Sequence, residues 1–194
     1  MKVLVYGSRT FGAVVRSLLE DCRHDFSGFI DDIYDGPEVL GGFDTVRRSH
    51  PPGEFACVNA VGYNDLAARR TVSERIRRAG FALPALVHPR AYVASSATVG
   101  SGTFVMAMAA VDHRVTLRDD VVVWPSTSVS HDSVIGDNSF LSPACVICGN
   151  CRIGRDCFIG AGAVIVSTAV VPDGAFVKAL TRYVTPVAAS GGNR

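Results

Sequence analysis

An aliphatic residue recurs at every sixth position through the second half of the chain. Steps of six from Val87 to Val177 meet only Val, Leu or Ile, at sixteen positions in succession. A period of six matches neither an α-helix, with about 3.6 residues per turn, nor a plain β-strand, with a period of about 2. It predicts a solenoid in which each hexad forms one flat side and one corner, with the aliphatic residues filling the interior.

Small or β-branched residues form a second column, two positions before the aliphatic one. Three of the six cysteines, Cys145, Cys151 and Cys157, fall in this column. Cys145, Cys148 and Cys151 also form a C-x-x-C-x-x-C run, for which a metal site is the alternative interpretation. Six cysteines at these spacings are too sparse for a disulfide scaffold. We interpret the cysteines as packing residues and expect no metal.

Composition and charge exclude several classes of protein. Hydrophobic residues make up 48% of the chain and charged residues 19%, which is typical of a folded rather than a disordered chain. The net charge is +1 and is balanced in both halves, so we expect no nucleic-acid partner. No apolar run reaches the roughly 18 residues of a membrane span, and the opening apolar stretch is too short for a signal peptide. We therefore expect a cytoplasmic protein without a membrane span.

The first half of the sequence predicts alternating strands and helices. The predicted strands are Lys2–Tyr6, Phe26–Ile30, Phe55–Val61 and Leu83–Val87, and the predicted helices are Ala13–Glu20 and Asp65–Ala79. This alternation is typical of a small, Rossmann-like parallel α/β domain. We predict an α/β domain over residues 1–84, a solenoid over residues 85–185 and a flexible tail over residues 186–194.

A glycine-flanked turn follows the first predicted strand. Gly7 and Gly12 form a G-x-x-x-x-G pattern that lacks the middle glycine of a dinucleotide fingerprint, which argues against a nicotinamide dehydrogenase. Loops at the carboxyl ends of parallel strands bind small molecules in such folds. We predict that Gly7, Asp31, Asp32 and Gly62, which follow three of the strands, line such a site, although glycines after strands are often only turns.

The whole arrangement resembles the bacterial sugar acyltransferases of the PglD/NeuD type. This family includes nucleotide-amino-sugar N-acetyltransferases and sialic acid O-acetyltransferases. The motifs that carry the resemblance are Val5-Tyr6-Gly7 with Gly12, Phe29-Ile30-Asp31-Asp32, Ala60-Val61-Gly62-Tyr63-Asn64, His88-Pro89, Ser128 to Gly136, Cys148-Gly149-Asn150 and Ile159-Gly160-Ala161-Gly162-Ala163.

The resemblance implies a fold, an assembly and a reaction. The solenoid would be a left-handed β-helix with three hexads per coil, and the protein a homotrimer with active sites between neighbouring prisms. Acetyl-CoA would be the acyl donor and a nucleotide-linked amino sugar the acceptor. Gly7, Arg9, Asp31, Asp32 and Gly62 would bind the acceptor, with Arg9 or an adjacent amide meeting a phosphate.

The resemblance also implies the catalytic group. His131 would be the general base, and Asp132 would support its basicity. Imidazole titrates near neutrality and is suited to take a proton from an attacking amine. Stacking at 18 residues per coil places His131 over His113 and under Gly149, which leaves room for a substrate. The same stacking places Asp132 over Arg114, so an ion pair is the alternative role for this carboxylate.

Coenzyme contacts are implied at Phe140, Gly149 and Ala161, and the Gly149 amide is a candidate donor to the thioester oxygen. The sequence departs from the family at several of its sites. Arg9-Thr10-Phe11 replaces Ser-Gly-His, Trp124 replaces Asn, Phe140 replaces a second His, and the segment Lys178 to Arg182 replaces a C-terminal loop.

These departures leave alternative functions open. One is an O-acyltransferase or a transferase that uses another acyl donor, and another is a non-catalytic, ligand-binding relative. A zinc hydratase on the same prism would need three histidines, two of them close in sequence, whereas this prism has only His88, His113 and His131.

For the trimer, we expect the apolar Val122, Trp124 and Phe140, which lie outside the interior column, to mark a flank buried by another copy.

Overall fold

The computed structural model describes residues 1–185, so the predicted tail at 186–194 lies outside the described residues. The first part is a three-stranded parallel sheet with strand order β2-β1-β3. Its elements are β1 (Lys2–Tyr6), α1 (Thr10–Asp21), β2 (Asp25–Ile30), α2 (Phe43–Ser49), β3 (Phe55–Asn59), a 3₁₀ turn (Tyr63–Asp65) and α3 (Leu66–Arg78).

The central strand β1 is buried on both faces, as is usual for a parallel sheet. Val3 and Val5 pack on the side of α1, whereas Leu4 and Tyr6 pack on the side of α2 and α3. The sequence prediction missed α2, a seven-residue helix. Helices this short have little intrinsic stability and form through tertiary packing; here Phe43 buries α2 against the sheet.

The solenoid prediction is confirmed. Two-residue strands recur every six residues, and each pairs in parallel with the strand 18 residues further along, as Val122 does with Phe140. The strands are β4 (Leu86–Val87), β5 (Tyr92–Val93), β6 (Thr98–Val99), β7 (Phe104–Val105), β8 (Ala110–Val111), β9 (Thr116–Leu117), β10 (Val122–Val123), β11 (Ser128–Val129), β12 (Val134–Ile135), β13 (Phe140–Leu141), β14 (Val146–Ile147), β15 (Arg152–Ile153), β16 (Phe158–Ile159), β17 (Val164–Ile165), β18 (Val170–Val171), β19 (Phe176–Val177) and β20 (Arg182–Tyr183).

These strands form three parallel sheets, which are the faces of a prism. Face A contains β4, β7, β10, β13, β16 and β19; face B contains β5, β8, β11, β14, β17 and β20; face C contains β6, β9, β12, β15 and β18. The second residue of each strand points inward, and the aliphatic column forms the buried interior together with the small residues at the corners. Cys145, Cys151 and Cys157 are buried in this interior.

Each corner contains one residue in the left-handed backbone region. Such residues recur every six positions from Gly102 to Leu180. Asn, Asp and Gly adopt this conformation most readily, and Asp132, with φ of 60°, occupies one of these positions.

The predicted fourth strand of the α/β domain belongs to the solenoid instead. Only Leu86 and Val87 of the predicted segment are extended, and they pair with Phe104 and Val105 on face A. The Leu86 N–H donates to the Thr103 carbonyl, so its backbone partner lies in the next coil rather than in the three-stranded sheet.

The α/β unit packs on face A of its own prism. Phe104, Val122 and Phe140, the outward residues of three face A strands, are buried in one cluster with Val15 and Leu18 of α1. The expectation that Val122 and Phe140 mark a flank buried by another copy is therefore wrong, because a single chain already covers them. Within residues 1–185, none of the helices is long and apolar enough to cross a membrane.

Candidate active site

His131 lies at the corner between faces B and C, just after β11 (Ser128–Val129). Its side chain is 53% exposed, and its Nδ1 lies 2.9 Å from Asp132 Oδ2. The other carboxylate oxygen of Asp132 accepts a hydrogen bond of 2.6 Å from Nε of Arg114, one coil earlier. The hydrogen bond from Arg114, followed by that from His131, lowers the pKa of Asp132 to about 2. Asp132 is thus an anion near neutral pH, and it orients the ring so that Nε2 is directed away from it.

Gly149 lies one coil above His131, as the 18-residue spacing predicts. A Cβ atom at position 149 would lie 2.8 Å from both Cε1 and Nε2 of the imidazole. A side chain there would collide with the ring, so only glycine allows the imidazole to pack against the backbone at position 149. Among residues 1–185, no hydrogen-bond acceptor is found for the Gly149 N–H. A free donor therefore lies next to the imidazole.

His113 lies one coil below, where the 18-residue spacing also placed it. Its carbonyl accepts from the Asp132 N–H at 2.9 Å, and its ring Nδ1 contacts the Ser96 hydroxyl at 2.8 Å.

Asp132 makes both of the contacts that the sequence offered as alternatives. One carboxylate oxygen pairs with Arg114 and the other contacts His131.

A cavity of about 690 Å³ opens where the carboxyl ends of the α/β strands meet the prism. All five predicted acceptor residues line it: Gly7, Arg9, Asp31, Asp32 and Gly62. Its other walls come from the α1 and α3 helices, from the loop after β2 and from the prism. The aromatic side chains among them are Tyr6, Phe11, Tyr34, Tyr63, Trp124 and Phe140.

The two aspartates at this cavity are occupied by their own chain. Asp31 accepts from the Ser8 N–H and hydroxyl through one oxygen, and from the Ile33 and Tyr34 N–H groups through the other. Partial burial opposes ionisation, but these hydrogen bonds outweigh it and lower the pKa of Asp31. The Asp31 carboxylate fixes the shape of the two loops at the mouth of the cavity.

Asp32 joins three elements of the α/β unit. Its carboxylate accepts hydrogen bonds from the Tyr6 hydroxyl, from Arg75 at 2.5 Å and from the Phe43 N–H at 2.8 Å. Burial opposes ionisation here too, yet these bonds lower the pKa of Asp32. Burial, and then the hydrogen bond to the Asp32 carboxylate, raise the pKa of Tyr6. Sequence reasoning missed Tyr6 and Arg75 as partners of Asp32, since no local pattern links positions so far apart.

The other predicted acceptor residues shape the floor and the mouth. Gly7 has a φ of +106°, and a Cβ there would lie 3.0 Å from the Ala60 carbonyl oxygen, so the turn requires glycine. The Arg9 guanidinium lies 4.4 Å from the centre of the Tyr34 ring. A Cβ atom at position 62 would meet no atom within 4 Å, so this position opens onto the cavity.

The three predicted coenzyme residues are distributed over the prism. Phe140 is 2% exposed on face A and lines the acceptor cavity, Ala161 is exposed at the corner between faces A and B, and Gly149 lies beside His131 at the corner between faces B and C. A single chain therefore does not bring them together, and their contacts with a coenzyme stay a prediction.

Metal ligands do not gather in the described part of the chain. Residues 1–185 contain no group of three His, Cys, Asp or Glu side chains suited to hold a metal ion. This leaves the zinc-hydratase alternative without a ligand set in that range.

Comparisons with known proteins agree with this architecture. A family model described as bacterial transferase hexapeptide (six repeats) matches residues 132–167. The acetyltransferase domain of PglB from Neisseria gonorrhoeae is 32% identical, with a TM-score of 0.90, over 97% of this chain and 93% of that one. Its structure in complex with acetyl coenzyme A is 31% identical, with a TM-score of 0.84, over 95% and 91% of the two chains.

A more distant structure shares the fold. A perosamine N-acetyltransferase variant from Caulobacter crescentus, solved with CoA and GDP-perosamine, is 22% identical with a TM-score of 0.76, over 93% of this chain and 94% of that one. The identity to the Neisseria domain over nearly the whole length places this chain: it belongs to the hexapeptide-repeat sugar acyltransferases of the PglD/NeuD type.

Proposed function

We propose that this protein transfers the acetyl group of acetyl-CoA to the amine of a nucleotide-linked amino sugar, with His131 as the general base. The observation that carries the proposal is the half-exposed His131 imidazole, oriented by an Asp132 anion and packed against the backbone of Gly149. The likeness to an acetyltransferase domain that binds acetyl coenzyme A supports the donor.

The base assignment follows from the hydrogen bonds of the ring. Because Nδ1 lies against the Asp132 carboxylate, it carries the proton of the neutral ring, and Nε2 has a free lone pair. As the acceptor amine attacks the thioester carbonyl, the N–C bond forms and Nε2 takes a proton from the nitrogen. The Asp132 anion stabilises the imidazolium that results.

The same corner provides a donor for the oxyanion. The N–H of Gly149 has no acceptor among residues 1–185, and we assign to it a hydrogen bond to the thioester oxygen as negative charge develops there. When the tetrahedral intermediate collapses, the C–S bond breaks and the proton held by His131 passes to the departing thiolate of CoA. Proton balance is thus kept without any other acid.

The acceptor cavity suits a nucleotide-linked sugar. Helix α1 begins at Thr10 with no side-chain cap, so the N–H groups of its first turn are available to a diphosphate beside Arg9. Since the carboxylates of Asp31 and Asp32 are engaged within the chain, we assign them to holding the loops of the cavity. The exposed ring of Tyr63 and the open backbone at Gly62 complete the mouth.

The acceptor cavity and His131 lie on different sides of one prism. Trp124 and Phe140 of the cavity belong to face A and its corner with face B, whereas His131 lies at the corner opposite face A. An acceptor bound in the cavity of one chain would therefore reach the His131 of a second copy. We assign the protein a homotrimer with shared active sites, the closed assembly in which each cavity can meet one neighbouring base.

The cysteines suit a cytoplasmic location for this reaction. All six are free thiols, as is usual in reducing compartments.

The shared site is tested by complementation between two inactive variants. His131→Ala removes the base, and Gly62→Trp fills the cavity from a position at which a Cβ atom meets no atom within 4 Å. Co-expressed chains should recover about a quarter of the wild-type activity, because mixed trimers keep one intact site of three. Release of the CoA thiol with a panel of nucleotide-linked amino sugars measures the activity.

Light scattering and circular dichroism should show that each variant alone is folded. The CoA-release assay should show that each variant alone is inactive. If mixed trimers form and show no activity, the active site lies within a single chain. If the wild-type protein releases no CoA with any amino sugar, the proposed reaction itself is wrong.

A further inference from the structure

The buried side chain of Asn59, at the end of β3, connects the turn after this strand to α3. Its Oδ1 accepts a hydrogen bond of 2.9 Å from the Val61 N–H. Its Nδ2 donates to the Arg69 carbonyl at 2.7 Å and to the Ser73 hydroxyl at 2.9 Å, both on α3. One amide group therefore holds the turn and the helix together.

The partners of Asn59 determine how its amide is oriented. The opposite orientation would place the NH2 group against the Val61 N–H and the oxygen against the Arg69 carbonyl, so donor would face donor and acceptor would face acceptor. Ser73 in turn donates to Asp120 Oδ1 at 2.8 Å, at the corner between faces C and A of the prism. A buried network with its partners in place holds one geometry, which keeps the Asn59 oxygen directed at Val61.

The turn that Asn59 holds is a wall of the acceptor cavity, since Ala60, Val61 and Gly62 all line it. The Val61 N–H and the Ala60 carbonyl belong to one planar peptide unit, so a bond to the N–H also fixes the direction of the carbonyl. That carbonyl packs against Gly7, where a Cβ atom would lie only 3.0 Å from its oxygen. The Asn59 bond thus sets the contact between the two turns that form the floor of the cavity.

We propose that Asn59 is a positioning residue for the acceptor, which it serves by holding the Ala60–Val61 peptide unit against Gly7. Asn59 does not itself line the cavity, so it acts through the turn. A turn that is already ordered spares the acceptor the free-energy cost of ordering it on binding. The inference rests on the proposed function for the identity of the acceptor, whereas the hold on the turn is measured without any substrate.

The decisive variant is Asn59→Leu, which removes the amide at nearly constant volume. The acceptor is the nucleotide-linked amino sugar of the panel that the wild-type trimer converts fastest. Its KM should rise by about tenfold or more, while kcat stays within about threefold and the KM for acetyl-CoA within about twofold. Without substrate, hydrogen exchange followed by mass spectrometry should show about tenfold faster exchange in the peptide that contains Val61.

Two further variants separate positioning from stability. Asn59→Asp keeps an oxygen directed at the Val61 N–H but loses both donors to α3. Ser73→Ala removes the hydroxyl between Asn59 and Asp120 and leaves the bond to the Arg69 carbonyl in place. Both should lower the Tm, as Asn59→Leu does, yet leave the acceptor KM within about threefold. If Asn59→Leu does not form a folded trimer, Asn59→Ala removes the same oxygen and takes its place.

Three results would overturn the inference. An equal rise of the acceptor KM in Asn59→Leu, Asn59→Asp and Ser73→Ala would reduce Asn59 to a purely structural role. Unchanged exchange at Val61 in Asn59→Leu would mean that other contacts hold the turn. Faster exchange with an unchanged acceptor KM would mean that the acceptor does not depend on the turn.

Failure of the proposed function has a different outcome. If the wild type converts no amino sugar, but Asn59→Leu still speeds exchange at Val61 and Asn59→Asp does not, the proposed reaction is wrong and the hold of Asn59 on the turn is supported.

Discussion

The corner at His131 and the acceptor cavity are built on different principles. At the corner, each residue lies directly above the one 18 positions earlier, so neighbours in space are fixed by counting along the chain. In the cavity, neighbours come from the ends of three strands and the loops after them, from helices α1 and α3 and from the prism, and hydrogen bonds join distant positions such as Asp32 and Arg75. The periodic region thus places a reactive group with few contacts, whereas the aperiodic region shapes a binding site with many.

The largest expected effect lies at the corner. His131→Ala should lower kcat by about 10²–10⁴-fold, the range typical of a lost general base. Proton removal takes place in the transition state, so kcat/KM should fall in parallel. Steady-state kinetics on the purified trimer measure both constants.

His113→Ala is the matched control, since it removes the same side chain one coil below, where the ring contacts Ser96 rather than a carboxylate. A near wild-type kcat for His131→Ala, or an equal loss in the two variants, would contradict the assignment of the base.

The periodic region was largely predictable from the sequence. The stacking of His131 between His113 and Gly149 followed from a coil of 18 residues, because one constant register fixes every strand pair. The pairing of Asp132 with Arg114 followed from the same count.

The aperiodic region was predictable only in part. The glycines and aspartates after the strands were assigned to the cavity, which they line. Their detailed roles depend on α2, a seven-residue helix with little local signal, and on Tyr6 and Arg75, which lie far from Asp32 in sequence. The burial of Phe140 depends on how α1 packs against face A, and no periodicity encodes this contact.

A substitution in the cavity is expected to have the next largest effect. Asp32→Ala should lower the free energy of unfolding by about 2 kcal/mol, because it removes the charged acceptor of the Tyr6 hydroxyl and one of the two carboxylates that pair with Arg75. The loosened loop should raise the KM for the acceptor by about tenfold and leave the KM for acetyl-CoA nearly unchanged. Chemical denaturation and initial rates measure the two effects.

Asp44→Ala is the control for this prediction, since it removes an exposed partner of the same Arg75 and leaves the contacts of Asp32 in place. A rise in the KM for acetyl-CoA instead of the acceptor would place the acceptor outside this cavity.

At the His131 corner, a smaller effect is expected in the pH dependence of kcat/KM. With a pKa of about 2, Asp132 stays ionised over the whole neutral range, so its own titration should not appear in the profile of kcat/KM above about pH 4. Asp132→Asn removes this anion and destabilises the imidazolium of His131. The acid limb of the profile should therefore shift to lower pH. An unchanged acid limb would show that Asp132 serves only Arg114.

The smallest effect concerns the corner backbone alone. Thr168 lies three coils above Arg114 in the column that also contains Asp132 and Asn150, and its φ of 66° is unfavourable for a β-branched residue. Thr168→Asn should relieve this strain and raise the free energy of unfolding by about 1 kcal/mol, or the Tm by about 2–4 °C. Asn150→Thr, one coil below, exchanges the same residues in the opposite direction and should lower it by a similar amount. The main-chain hydrogen bond from the Thr168 N–H to the Gly149 carbonyl is independent of either side chain. Thermal denaturation therefore reports the cost of the left-handed conformation together with the hydrogen bond from the Thr168 hydroxyl to the Ser167 carbonyl. Changes of the same sign in both variants would mean that side-chain contacts, rather than backbone strain, determine which residues the corners accept.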